Sequence, residues 1–171
     1  MGIHECTTKL GYRLDFICGE SRINSSIKAD VSYLGAERLV RHLIKENVPV
    51  AVASGSSKKD FKTKTSRHRE FFDQFKLVVL GDDLELKNGK PAPDQFLLTA
   101  SRFSNPPQPE TCLVFEDSPN GVLAAKAAGM GVVLVPDERL EKHLFNEPSS
   151  VLKSLEDFVP EQWGLPAYKG Q

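Results

Sequence analysis

Short apolar runs recur along most of this chain, each followed by small polar or acidic residues and then by a segment of helical periodicity. Val48-Pro49-Val50-Ala51-Val52-Ala53 leads into Ser54-Gly55-Ser56-Ser57. Lys76-Leu77-Val78-Val79-Leu80-Gly81 leads into Asp82-Asp83, Cys112-Leu113-Val114-Phe115 into Glu116-Asp117, and Gly131 to Val135 is a last such run. Runs this short, rich in β-branched residues and apolar at successive positions, specify strands buried on both faces. Between them, residues 35–47 place Leu39, Val40, Leu43 and Ile44 on one stripe, as an amphipathic helix requires. Polar helices are expected near 59–68 and 69–75. Pro93 opens another helix, with Phe96, Leu97, Ala100 and Phe103 on one face, because a missing N–H costs nothing in a first turn. Ser118 can cap a further helix, with Pro119 in its first turn and Gly129 at its end. A polar tail carries a short helix near 151–158. Strands alternating with helices at this spacing build an α/β fold around a doubly wound, mostly parallel sheet.

Composition narrows the function classes. At 171 residues, 40% hydrophobic and 26% charged, the chain can bury one domain's core. A formal net charge of −1 gives no general attraction to nucleic acid or to anionic membranes, so neither is expected as a partner. The dense basic stretch from Lys58 to Arg69 also carries Asp60 and fits a solvated helix face. Three cysteines form no CxxC pair and no even disulfide framework, which favours a reducing, cytoplasmic setting. No apolar run approaches a membrane span, no signal-peptide core is present, and Cys6 stands where a myristoylation motif needs Ser or Thr.

In a doubly wound sheet, ligands bind beyond the carboxyl ends of the strands, so the chemistry belongs in the loops after Ala53, Leu80 and Phe115. Ser54 follows a buried strand, where a hydroxyl and the backbone N–H groups after it can face an anion. Lys90 stands in Gly89-Lys90-Pro91-Ala92-Pro93-Asp94, just before a helix. Glu116 and Asp117 offer hard oxygen ligands for a divalent cation. An anion cradle, a fixed cation and a pair of acids suit phosphoryl transfer, in which catalysis is mostly positioning and charge neutralisation.

With these residues in place, the chain resembles the haloacid dehalogenase-like hydrolases. Ser54, Lys90 in GKPAPD and the acids of FEDSPNG look like that family's second, third and fourth motifs. The likeness is greatest to the branch containing pseudouridine-5′-phosphatase and runs from about Ser32 to Tyr168, through LGAERLVRHL, KTSRHREFF, VVLGDD and FVPEQWGLPAY. It implies a Rossmann-like core and magnesium-dependent hydrolysis of small sugar or nucleoside phosphate monoesters, a small phosphorylated metabolite being the partner. It also implies that Ser54, Gly55 and Lys90 bind phosphate, Ser54 and Lys90 serve catalysis, and Asp117 with Glu116 holds magnesium. Ser118 and Asn120 flank the metal loop, and Gly121 lets the following helix pack closely.

The resemblance fails near the amino terminus. The family begins with a strand ending in Asp-x-Asp-Gly, whose first Asp becomes an aspartyl phosphate and whose second is the general acid and base. A helical cap domain normally follows. Leu14-Asp15-Phe16-Ile17-Cys18-Gly19 is the nearest candidate, with Asp15 as a weak nucleophile match and Ile17 where the second acid belongs. Residues 1–30 are therefore expected to be a divergent segment, contributing at most one strand, and 31–171 an incomplete core with the cap absent or vestigial. On that expectation the chain is truncated, and its alternative role is a catalytically dead remnant binding phosphate, magnesium or a partner chain.

Overall fold

A computed structural model describes the backbone of residues 15–20, 29–136 and 139–169, and the side chains of 35–136 and 139–169. Six strands of the described residues form one sheet: β1 Asp15–Glu20, β2 Val50–Ser54, β3 Leu77–Leu80, β4 Cys112–Glu116, β5 Gly131–Leu134 and β6 Ser150–Val151. Among the described residues, five α-helices connect them: α1 Ala29–Lys45, α2 Lys58–Lys64, α3 Arg69–Phe72, α4 Asp94–Ser101 and α5 Pro119–Ala127. The strand order is β3-β2-β1-β4-β5-β6 with every pairing parallel, the doubly wound α/β arrangement that the alternation of strands and helices demands.

Alternation along the strands assigns each side chain to one of two covered faces. Leu113, Phe115 and Val133 pack with Val50 and Val52 under Leu39, Val40 and Leu43 of α1, and with Phe71, Phe75 and Phe158. Cys112, Val114, Val132 and Leu134 pack on the other face under Phe96 and Ala100 of α4 and Val122, Ala124 and Ala125 of α5. Strands this thoroughly covered need apolar residues on both sides, hence the continuous runs. No helix among the described residues is long and apolar enough to cross a membrane.

Within residues 1–30 the structure describes one whole strand, β1, and the start of α1. β1 pairs in parallel with both β2 and β4, so it fills the centre of the sheet. β1 is described from Asp15 onward; residues 12–14 lie outside the described residues. Asp15 pairs with Cys112 at the amino end of β1, whereas Glu20 pairs with Ser54 at the carboxyl end. At about 3.3 Å per residue, the backbone of Asp15 is roughly 16 Å from the end where ligands bind.

The tail differs from expectation. Val151 belongs to β6, paired beside Leu134, and the helical content after it among the described residues is two 3₁₀ turns, Leu155–Asp157 and Pro160–Trp163. The first turn packs so closely on α1 that a Cβ on Gly35 would lie 2.7 Å from the Glu156 nitrogen. Farther on, Tyr168 lies under the Arg38 guanidinium (4.1 Å) and against the His42 ring. These contacts join the tail to α1 on one face of the sheet, between segments more than a hundred residues apart, where local periodicity carries no information.

Candidate functional site

The site residues come together at the carboxyl edge of the sheet, beside the point between β1 and β4 where the winding reverses. Ser54 ends β2 with its side chain fully buried, and its Oγ accepts the Ser56 N–H at 3.2 Å. That bond folds the chain into a tight turn, as a hydroxyl two residues before an N–H does. Its carbonyl is held from beneath by Gln95, whose Nε2 donates to it at 2.6 Å. Ser54 itself is covered. Gly55, next along, faces a cleft of about 650 Å³ together with Ser56, Gly89, Lys90, Ser118 and Asn120.

Lys90 enters from the turn before α4, where the Lys90–Pro91 bond is cis. Its Nζ donates to the Ala53 carbonyl at 3.0 Å and to Glu116 Oε1 at 2.5 Å, and it stands 4.7 Å from the centre of the Phe96 ring. The ammonium is thus held between β2 and β4, the two strands flanking β1. Glu116 is nearly inaccessible, and its second oxygen accepts from Ser118 Oγ at 3.0 Å. Ser118 in turn accepts the Gly121 N–H at 3.1 Å, which caps α5. Charge-assisted bonds of this kind fix geometry more firmly than neutral ones. A Cβ on Gly121 would fall 1.8 Å from the Glu116 carboxyl carbon, so only glycine lets α5 begin this close to the carboxylate.

A divalent cation places its own demands on this set. Both Glu116 oxygens accept hydrogen bonds, one from Lys90 and one from Ser118, which anchor the carboxylate in the loop. Asp117 follows directly and supplies hard oxygens. Magnesium usually takes one or two carboxylates and retains several waters, so Asp117 with Glu116 behind it fits that cation. No group of three or more His, Cys, Asp or Glu able to hold a metal gathers among the described residues.

Several residues that position the site escaped sequence reasoning. Asp82 accepts the Lys58 N–H with both oxygens (3.0 and 2.9 Å), so the loop after β3 caps α2 from outside. The Gly81 N–H donates to the Ser56 carbonyl at 2.9 Å. Gln95 could have been suspected, since it stands beside Phe96 on the buried stripe of α4 and is itself fully buried. Lys64 is not merely part of a solvated face: its Nζ donates to Ser56 Oγ at 2.9 Å, and it lines the cleft.

Asp83 braces the same loop. Arg102 donates to both of its oxygens, at 2.5 and 2.8 Å, and the Glu85 N–H adds a third bond at 3.1 Å. The Arg102 hydrogen bonds are the main cause holding the Asp83 carboxyl below the ordinary carboxylate range, with the Glu85 N–H next; partial burial opposes them. A depressed folded pKa gives stability that is present above the ordinary value, about 4, and is lost as pH falls below it. Asp83→Asn should therefore cost no more than about 1 kcal/mol at pH 7, and less at pH 3. Urea midpoints at the two pH values measure this; an equal loss at both would contradict it.

Known proteins match this arrangement. Residues 16–129 match the haloacid dehalogenase-like hydrolase family. The chain is 55% identical over 135 residues to a probable pseudouridine-5′-phosphatase of Drosophila melanogaster, covering 78% of this chain and 58% of that one. It is 52% identical over 136 residues to the mitochondrial (DL)-glycerol-3-phosphatase 1 of Arabidopsis thaliana, covering 79% of this chain and 46% of the other. Among solved structures, a putative β-phosphoglucomutase from Thermotoga maritima superposes with a TM-score of 0.61 at 28% identity, over 72% of this chain and 56% of that one. The chain spans about half the length of the curated relatives it matches. Sheet order, the residues at its carboxyl edge and the matched span agree: the chain belongs to the haloacid dehalogenase-like hydrolases, in the branch of the pseudouridine-5′-phosphatases.

Proposed function

We propose that the cleft at the carboxyl edge of the sheet is the phosphoryl-binding site of a magnesium-dependent phosphomonoester hydrolase. The observation that carries this reading is the Lys90 ammonium, pinned between the Ala53 carbonyl and the buried Glu116 carboxylate at the rim of a cleft of about 650 Å³. A cation fixed in this way meets a phosphoryl group without paying to be ordered at the moment of binding. The Gly55 backbone and the hydroxyls of Ser56 and Ser118 supply hydrogen-bonding groups around the same cleft, and Ser54 sets the turn that presents them. Asp117 would hold magnesium, which when bound neutralises charge on the phosphoryl oxygens. The names of the relatives, phosphatases of glycerol 3-phosphate and pseudouridine 5′-phosphate, support small phosphate monoesters as the substrate class.

A second reading is binding without covalent turnover. It is favoured by the register of β1, which pairs Asp15 with Cys112, away from the Ser54 end. Phosphate release from a panel of phosphomonoesters, with and without magnesium, separates the two. Magnesium-dependent turnover lost in Lys90→Met supports hydrolysis. Turnover abolished by Asp15→Asn would overturn the second reading and with it the relevance of this register. If magnesium and orthophosphate neither bind nor protect the chain from unfolding, both readings fail.

A further inference from the structure

Gln95 is fully buried in the first turn of α4, on the helix face that also buries Phe96 and Ala100. Its Nε2 donates to the Ser54 carbonyl at 2.6 Å and reaches the Val79 carbonyl at 3.4 Å, across the ends of β2 and β3. With carbonyls on that side, the end of the amide that faces them is its NH2. The other end, Oε1, is buried with no hydrogen-bond partner among the described residues. A buried acceptor without a donor costs stability, and an apolar side chain of similar size avoids that cost. Packing alone therefore does not call for glutamine here. Thr99, one turn along the same helix, needs no such explanation: its Oγ1 donates to the Gln95 backbone carbonyl at 2.7 Å, within the helix.

What Gln95 holds is the peptide that opens the turn after β2. The Ser54–Gly55 peptide is trans, so its C=O and N–H point in opposite directions. Fixing the carbonyl on the Gln95 side turns the Gly55 N–H away from it. The preceding carbonyl, that of Ala53, also takes the opposite direction, and it accepts from Lys90 Nζ at 3.0 Å. The Gly55 N–H is thus set towards the side on which Lys90 stands, and both residues line the cleft. Resting on the phosphate-site reading, we infer that Gln95 is a positioning residue for that site: by holding the Ser54 carbonyl from beneath, it aims the Gly55 N–H at the phosphoryl group. The orphaned Oε1 is the loss of stability that accompanies this orientation.

Urea unfolding and orthophosphate calorimetry on the whole chain with magnesium test the inference in three variants. Gln95→Met keeps the volume, takes a donor from the Ser54 carbonyl and removes the orphaned acceptor. Its effects on stability oppose one another, so its urea midpoint should stay close to the wild-type value. Its orthophosphate affinity should nevertheless fall about fivefold, the equivalent of one neutral hydrogen bond. Thr99→Val removes a buried hydroxyl from the same helix and should leave affinity within about twofold of wild type. Gln95→Glu can donate to the Ser54 carbonyl only when its carboxyl is protonated, a form that burial favours. Its affinity relative to wild type should therefore recover from about pH 8 to about pH 6. Wild-type affinity in Gln95→Met would overturn the inference. So would an equal fall in Thr99→Val, since the loss would then come from the packing of α4, and so would a Gln95→Glu affinity that keeps a constant ratio to wild type across that pH range. Failure of the wild-type chain to bind orthophosphate is a separate result: it removes the phosphate site, and the role of Gln95 with it.

Discussion

Lys90→Met is expected to abolish orthophosphate binding and to lower stability by about 3 kcal/mol, because it leaves the buried Glu116 carboxylate without its counter-charge. The Glu116 side chain is wholly inaccessible and that of Lys90 is 9% exposed, so water cannot replace the lost partner without opening the start of α5. Ser118 would remain as a donor to Glu116, which places the cost towards the lower end of the range for breaking a buried ion pair. The double variant Lys90→Met/Glu116→Gln should recover most of the stability, as a neutral amide at 116 no longer needs a cation, yet should not recover binding. Urea unfolding and orthophosphate calorimetry, applied to the wild type and both variants, read the two effects independently. Retained orthophosphate affinity in the single variant would remove Lys90 from the site. A double variant no more stable than the single one would show that the pair's charge is not what stabilises this corner.

The second large effect is steric. A Cβ on Gly81 would lie 2.2 Å from the Gly55 carbonyl oxygen and 2.8 Å from its carbon, a collision of backbone with backbone that no side-chain rotation relieves. Gly81→Ala should cost about 2–3 kcal/mol, the usual scale of overpacking. It should also lower orthophosphate affinity several-fold, because the turn that must move is the one presenting Gly55 and Ser56 to the cleft. Gly89→Ala is the matched control: it lines the same cleft, but nothing lies within 4 Å of its added carbon. Thermal unfolding and calorimetry on the pair decide the matter. A Gly81→Ala protein as stable as Gly89→Ala would mean that the close approach of the β2 and β3 loops is not maintained in solution.

Both experiments concern contacts between segments distant in the chain, and the same distinction marks how much could be read beforehand. The four apolar runs became β2, β3, β4 and β5 with shifts of a residue or two at their ends, because burial on both faces leaves a continuous apolar signal. Ser118 caps α5 and Gly129 ends it with a φ of 75°, both consequences of local backbone chemistry. Lys90 and Glu116 were recognisable from their motifs, but not as partners: they are 26 positions apart, and a loop and a strand end must converge to join them.

The sequence by itself determined the layers of this protein, the positions of most strands and helices, and the residues its family places at the carboxyl edge. Those follow from periodicity, caps and motif residues that act over a few positions. Tertiary structure alone decided that residues 15–20 are the central strand, and in which register. A parallel neighbour is chosen by hydrogen bonds and packing with strands more than thirty residues away, and no local pattern encodes that choice. That register sets Glu20 beside Ser54 and carries Asp15 to the opposite end. It likewise took the assembled fold to turn Lys64 from an apparent surface charge into a wall of the cleft, since the hydroxyl it meets lies on a turn shaped by β3.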